Sequence, residues 1–387
     1  MAKTIRLVEE TIQKKQLNQL SKWILSGSQL TKSKETLLFE QNFSKFLKTK
    51  YSVYVNSGSS ANLLIASSLL QSDRLTNKIV ILPAVSWITT VMPFIQLGYK
   101  PIFCDCNLTN LGLDLNHLKK IVNQYKPSTL VICNVLGHSN DMSQIIQICK
   151  KNKIFLIEDN CESLGSEYKN KILGSFGLAS SHSFYYGHHM STIEGGMVST
   201  NDNQLKNIML SVRSHGWSRD LDLKEALRIQ KKNNIDEFRN LYTFYYSGFN
   251  LRSTDLNAKL GNLQLQSIHS KIKKRNVNFQ YYQKKLSNYW SQESNHTYVS
   301  NFAYASLVQN PIEVFNHLKK NKIESRPLIC GNIARHPVMK NSFKNKLPNA
   351  DVIHDYGIYL PNHDLLSKKD IDLIVEVFQS IAKPYLP

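Results

Sequence analysis

Between residues 51 and 200 short apolar runs alternate with longer stretches in which apolar side chains recur every three or four positions. The runs at 51–55, 79–82, 101–106, 129–135, 154–158, 181–184 and 196–200 read as strands. Those at 61–66, 142–151 and 204–212 read as helices that follow them. Such alternation predicts an open, mainly parallel α/β sheet with helices on both faces. Upstream, 5–25 reads as a helical arm and 34–47 as a second amphipathic helix. Downstream, one long helix is expected over 255–286, bridging to a smaller α/β unit. The division this predicts is an arm over 1–30, a large α/β domain over 31–255, and a linking helix with a small C-terminal domain over 256–387.

Composition narrows the class. Of 387 residues 42% are hydrophobic, enough for a sizeable core, and 48 basic against 29 acidic side chains leave a net charge of +19. The basic residues are dispersed. Their densest run, Lys271-Ile-Lys-Lys-Arg275, falls in helical periodicity and reads as a solvated helix face. No nucleic-acid motif accompanies it, so the charge is expected to attract small anions instead. No apolar run approaches the ~18 residues that span a bilayer, and charges occupy the N-terminal stretch where a signal peptide is apolar; a cytoplasmic protein without a membrane partner is expected. The six cysteines contain no CxxC pair. Cys104 and Cys106 are read as core residues on one face of a strand, and neither a disulfide framework nor an iron–sulfur cluster is expected.

Three polar segments stand at predicted strand ends, where ligands bind in open parallel sheets. Asn56-Ser-Gly-Ser-Ser60 joins a strand to a helix, and its first amides would cradle an anion such as phosphate, although Ser/Gly turns are also ordinary helix caps. Ile154-Phe-Leu-Ile-Glu-Asp159 ends in carboxylates able to hold a protonated ring nitrogen or to cap the next turn. Ser183-Phe-Tyr-Tyr-Gly-His-His-Met-Ser-Thr-Ile-Glu-Gly-Gly196 places two histidines between strands. Neighbours in extended chain point to opposite sides, so a shared metal is not expected; one histidine acting as a general base, the other packing, fits better.

These motifs, with Leu82-Pro-Ala-Val-Ser-Trp87 and Gly248-Phe-Asn-Leu-Arg252, run in an order that resembles the DegT/DnrJ/EryC1/StrS sugar aminotransferase family. The resemblance implies a pyridoxal phosphate (PLP) enzyme of aspartate aminotransferase type (fold type I) that works as a homodimer on nucleotide-linked keto-sugars. At the position of the family's Schiff-base lysine this chain has His188, and no lysine lies between Lys171 and Lys206. Histidine cannot tether the cofactor but can move protons. With Arg213-Ser-His-Gly-Trp217, this is similar to the sugar 3-dehydratase branch, in which PLP and its amine form, pyridoxamine phosphate, are not covalently bound.

The resemblance implies that a GDP-linked 4-keto-6-deoxy sugar, hexose or heptose, loses its C3 hydroxyl with L-glutamate as amino donor. It assigns the phosphate to Ser57, Gly58, Ser59 and Ser183, with Asn250 reaching it from the partner subunit. Trp87 would stack on the pyridine ring, Asp159 would hold N1, and Glu162 would lie near the ring oxygen. His215, Arg219, Arg326 and Asn332 are implied substrate contacts. An aminotransferase, a reductase-coupled CDP-sugar dehydrase and a non-catalytic PLP-fold protein remain open alternatives at this level.

Overall fold

The computed structural model describes residues 4–293, 297–339 and 346–387. Its central sheet is built from β1 (Tyr51–Val55), β2 (Ile79–Pro83), β3 (Lys100–Cys104), β4 (Thr129–Cys133) and β5 (Phe155–Asp159). A two-residue pair, β6 (Glu167–Tyr168) and β7 (Lys171–Ile172), precedes β8 (Ala179–Ser183) and β9 (Gly196–Thr200). The order is β1-β9-β8-β5-β4-β2-β3, parallel throughout except for β9, which runs against both neighbours. Alternate residues feed two cores: Val80, Leu82, Val131 and Ile157 face one layer of helices, and Ile81, Leu130, Ile132 and Leu156 the other. This double burial explains the nearly continuous apolar strands.

Beyond the sheet lie β10 (Thr297–Tyr298), which pairs with β6, and a small antiparallel sheet of β11 (Ala303–Leu307), β12 (Arg326–Pro327) and β13 (Gly357–Pro361), with β13 central. Its own core joins Phe279, Tyr282, Tyr304, Leu360 and Phe378. No helix among the described residues is long and apolar enough to cross a membrane.

Four expectations change. The arm is helical only over Lys14–Leu25. Ile5 instead pairs with the edge at Ile323, and Leu7 N–H donates to Glu324 Oε2 (3.0 Å), so tertiary partners take the hydrogen bonds a helix would have used. The single long helix is two, Asp255–Leu265 and Ile268–Lys285, broken where Ser267 N–H bonds back to Gln264 O over only three residues. The basic run is only partly a solvated face: Lys273 is exposed, but Lys271 and Arg275 are buried. Cys104 and Cys106 are both core residues, but β3 stops at Cys104, and the two thiols enter different clusters.

Candidate active site

The carboxyl ends of β1, β5 and β8 converge. Ser57 caps the helix Gly58–Leu70, its Oγ accepting from Ser60 N–H at 3.0 Å, which leaves the preceding amides of that first turn facing outward. Space here is minimal. A Cβ on Gly58 would lie 2.5 Å from Ser183 Cβ, and one on Gly196 would lie 2.2 Å from Ser57 O. Gly58 therefore lets Ser183 join the cradle, and Gly196 lets β9 pass behind it. Ser59 Oγ donates to Thr89 Oγ1 (3.1 Å), tying the cradle to the helix Ile88–Gln96, whose N-cap is Trp87. The Trp87 indole is 54% exposed, leaving a large aromatic face open at the mouth of the site.

The two acids ending β5 point apart, as strand alternation requires. Glu158 turns into a loop and accepts from the N–H groups of Gly174, Phe176 and Gly177 at 2.7–2.8 Å, a structural role. Asp159 turns toward the cradle, buried; its Oδ2 accepts from Asn62 Nδ2 (2.9 Å) and Thr90 Oγ1 (2.7 Å), and its Oδ1 from Cys161 N–H (3.1 Å). Three donors fix the carboxylate's orientation at the sheet end, where it would face a ring nitrogen. Asn62 lies one helical turn beyond Gly58, and that i+4 spacing is the sequence signal that could have found it.

His188 donates Nδ1–H to Cys161 O at 2.8 Å, and its ring packs on Phe302 with centroids 5.2 Å apart. Burial pushes its pKa down to about 4, against the pull of the Cys161 carbonyl and Asp159. His189 faces away, its Nε2 donating to Ser300 O (3.0 Å) in a buried pocket; it is the packing member of the pair. Glu162 Oε2 accepts from Leu136 N–H at 3.0 Å. Burial, reinforced by the charge of Asp159, pushes its carboxyl up to about 7, and Leu136 N–H only partly opposes this. Leu136 adopts a left-handed conformation (φ 52°), strain of the kind that clusters at sites.

The substrate candidates separate. Arg326, exposed on β12, lies opposite Tyr359 on β13. His215 (φ 64°) faces Arg252, with Nε2 and Nη2 3.2 Å apart, and Arg252 Nε donates to Asn250 Oδ1 (3.1 Å). The adjacent Leu251 carbonyl accepts from Asn56 N–H, beside the cradle. Arg219 stacks on Trp217 (4.2 Å) and lines a cleft with Tyr51, at the end of β1 opposite Ser57; within one chain it is not brought to the cradle. Asn332 is buried, caps a 3₁₀ turn by accepting from Ala334 N–H, and donates to Asp351.

The sequence pattern of the DegT/DnrJ/EryC1/StrS aminotransferase family matches residues 11–379. The chain belongs to this family. Among its relatives, a GDP-4-keto-6-deoxy-D-mannose 3-dehydratase of Yersinia pseudotuberculosis is 32% identical over 373 residues, covering 93% of this chain and 94% of the relative. The solved Escherichia coli GDP-4-keto-6-deoxy-D-mannose-3-dehydratase with bound hydrated PLP superposes with a TM-score of 0.90 at 28% identity, covering 98% of this chain and all of the other. A structure of GDP-4-keto-6-deoxymannose-3-dehydratase with a trapped PLP–glutamate geminal diamine gives a TM-score of 0.89, also at 28% identity, covering 97% of this chain and all of the other. Family membership accounts for the fold type I architecture, and the donor set fits its cofactor. A helix-start cradle suits phosphate, a buried carboxylate suits a ring nitrogen, and an open indole suits an aromatic ring.

Proposed function

We propose that the chain is a PLP/pyridoxamine phosphate-dependent 3-dehydratase of a GDP-linked 4-keto-6-deoxy sugar, with L-glutamate as amino donor. One observation carries the reading. At the family's lysine position stands an imidazole whose Nδ1–H is fixed on Cys161 O, leaving Nε2 to take and return a proton, beside an intact phosphate cradle. The relatives support it by name, since they act on, or are solved with, these molecules.

Ser57, Gly58, Ser59 and Ser183 would hold the phosphate, Asp159 the ring nitrogen, and Trp87 the ring face. When bound, the cofactor supplies an electron sink. His188 Nε2 accepts a proton at the reacting carbon and returns it to the departing C3 oxygen, one nitrogen serving as base and then acid. Glu162 presents its Oε1 from the Leu136 side, and Arg326 lies at the outer edge with Tyr359. Overall, glutamate is oxidised to 2-oxoglutarate in an amine-for-carbonyl exchange, the sugar is reduced at C3, and the nitrogen leaves as ammonia in the sugar half; the oxygen lost at C3 equals the one gained by glutamate, with no net water.

The enzyme acts as a homodimer in the cytoplasm, where its six free cysteines stay reduced. Asn250 is exposed, with Oδ1 held by Arg252, and its amide N–H groups are available to the neighbouring subunit's phosphate; His215 is held in the same cluster, and Arg219 reaches substrate only from its partner's side of such a dimer. The test is incubation of the protein with PLP, glutamate and GDP-4-keto-6-deoxymannose or its heptose counterpart, read by mass spectrometry. A product lacking one oxygen supports the reading, and a product that has gained nitrogen makes the chain an aminotransferase.

A further inference from the structure

Arg275 is among the largest fully buried side chains in the protein, and none of its nitrogens meets a carboxylate among the described ion pairs. Its Nη1 donates instead to three main-chain carbonyls, Asn362 O (2.7 Å), Phe302 O (2.9 Å) and Asn301 O (3.5 Å). Burying a guanidinium on carbonyls alone is costly, so the arrangement needs a reason. The guanidinium lies 5.9 Å from the Phe302 ring centroid, and that ring lies 5.2 Å from His188 and 6.1 Å from His189. A single aromatic ring separates the cation from the imidazole.

We propose that Arg275 is a positioning residue for His188: it fixes the 300–302 turn, and with it Phe302, against the imidazole, and it holds that imidazole neutral. The role is needed because of what lies on the other side. The Asp159 carboxylate and the Cys161 carbonyl both draw a proton onto His188, and an imidazolium cannot accept another. Burial opposes them, and Arg275 adds the only cation acting directly on His188 among the described residues. The other titratable groups in this region include Glu162 beside Asp159, His189 and Lys271 behind the turn, and, beyond Arg275, the buried His363 together with Asp364, the latter partly offsetting the arginine's charge. A lysine replacement keeps the charge but not the forked donor geometry, and a methionine keeps bulk but not charge, which separates electrostatics from packing.

This inference rests on His188 being the base, so its test is independent of turnover. The His188 imidazole is titrated by NMR in the full-length protein without cofactor, in wild type, Arg275→Lys, Arg275→Met and Asp364→Asn. Removing the cation in Arg275→Met should move the His188 midpoint upward by about one pH unit. Arg275→Lys, cationic at the acid pH where His188 titrates, should stay within about 0.3 pH unit of wild type, and Asp364→Asn, which exposes the arginine's field, should move the midpoint downward. In the loaded enzyme the acid limb of glutamate-driven conversion of the cofactor should follow the same order. An unchanged midpoint in Arg275→Met overturns the proposal. So does an unfolded Arg275→Met together with an unchanged midpoint in Asp364→Asn, which would assign Arg275 to the fold alone. Failure of the dehydratase reading appears separately, in the sugar product.

Discussion

His188 Nδ1 lies 2.8 Å from the carbonyl oxygen of Cys161. A carbonyl only accepts, so the ring hydrogen sits on Nδ1 and Nε2 is the basic atom. Cys161 follows Asp159 by two residues, and its own N–H donates to Asp159 Oδ1. One turn therefore orients both the carboxylate and the base.

Replacing the base should spare the cradle. His188→Ala is expected to bind PLP with near-normal affinity while dehydration falls by about 10²- to 10⁴-fold, the usual contribution of a placed acid–base. Equilibrium dialysis and product assay measure the two separately. Loss of binding as the sole defect would make His188 a cofactor ligand.

Gly58→Ala puts a methyl 2.5 Å from Ser183 Cβ. Backbone and Ser183 must separate, at a cost of about 1–3 kcal/mol. PLP affinity should fall by tenfold or more while the far-ultraviolet circular dichroism is retained. Unaltered affinity would remove the cradle from this helix start.

Glu162 gives a pH signature in stability. Its folded-state pKa, about 7, lies above the ordinary glutamate value of 4.5, so the native state binds the extra proton. That contribution is full below about 4.5 and is lost as pH rises toward 7, by about 3 kcal/mol at most. Glu162→Gln should therefore gain stability over wild type between pH 5 and pH 8 in urea titrations. A difference that stays constant across that window counts against a buried, proton-binding carboxyl.

Asn250 tests the shared site. Inactive His188→Ala chains mixed with inactive Asn250→Ala chains should recover part of the activity in hybrid dimers, because one site per hybrid is then intact. Verified hybrids with no recovery would place Asn250 outside its neighbour's site.

The central sheet was legible because its strands are buried on both faces and end in polar residues, as at Val55-Asn56-Ser57 and Ile157-Glu158-Asp159. The cradle and Asp159 were expected from the same strand ends, and the part of His188 from the family resemblance. Long-range partners were not legible. Nothing local distinguishes Phe302 from any core phenylalanine until the fold lays it on His188, and Arg275 sits in a run that reads as solvated until the carbonyls of Asn301, Phe302 and Asn362 gather around it. Residues 5–8 misled for a related reason: their helical pattern lost to an edge supplied more than 300 residues later, at Ile323. Asn332 shows the converse, a polar residue whose side-chain oxygen is engaged in a local cap.

Leu136 offers its N–H to Glu162 and its carbonyl oxygen to both Asn301 Nδ2 and Phe302 N–H. One peptide carbonyl thus ties the turn after β4 to Asn301 and Phe302 ahead of β11, while the N–H of the same residue holds Glu162, so that the 301–302 segment and the Glu162 carboxyl share one anchor.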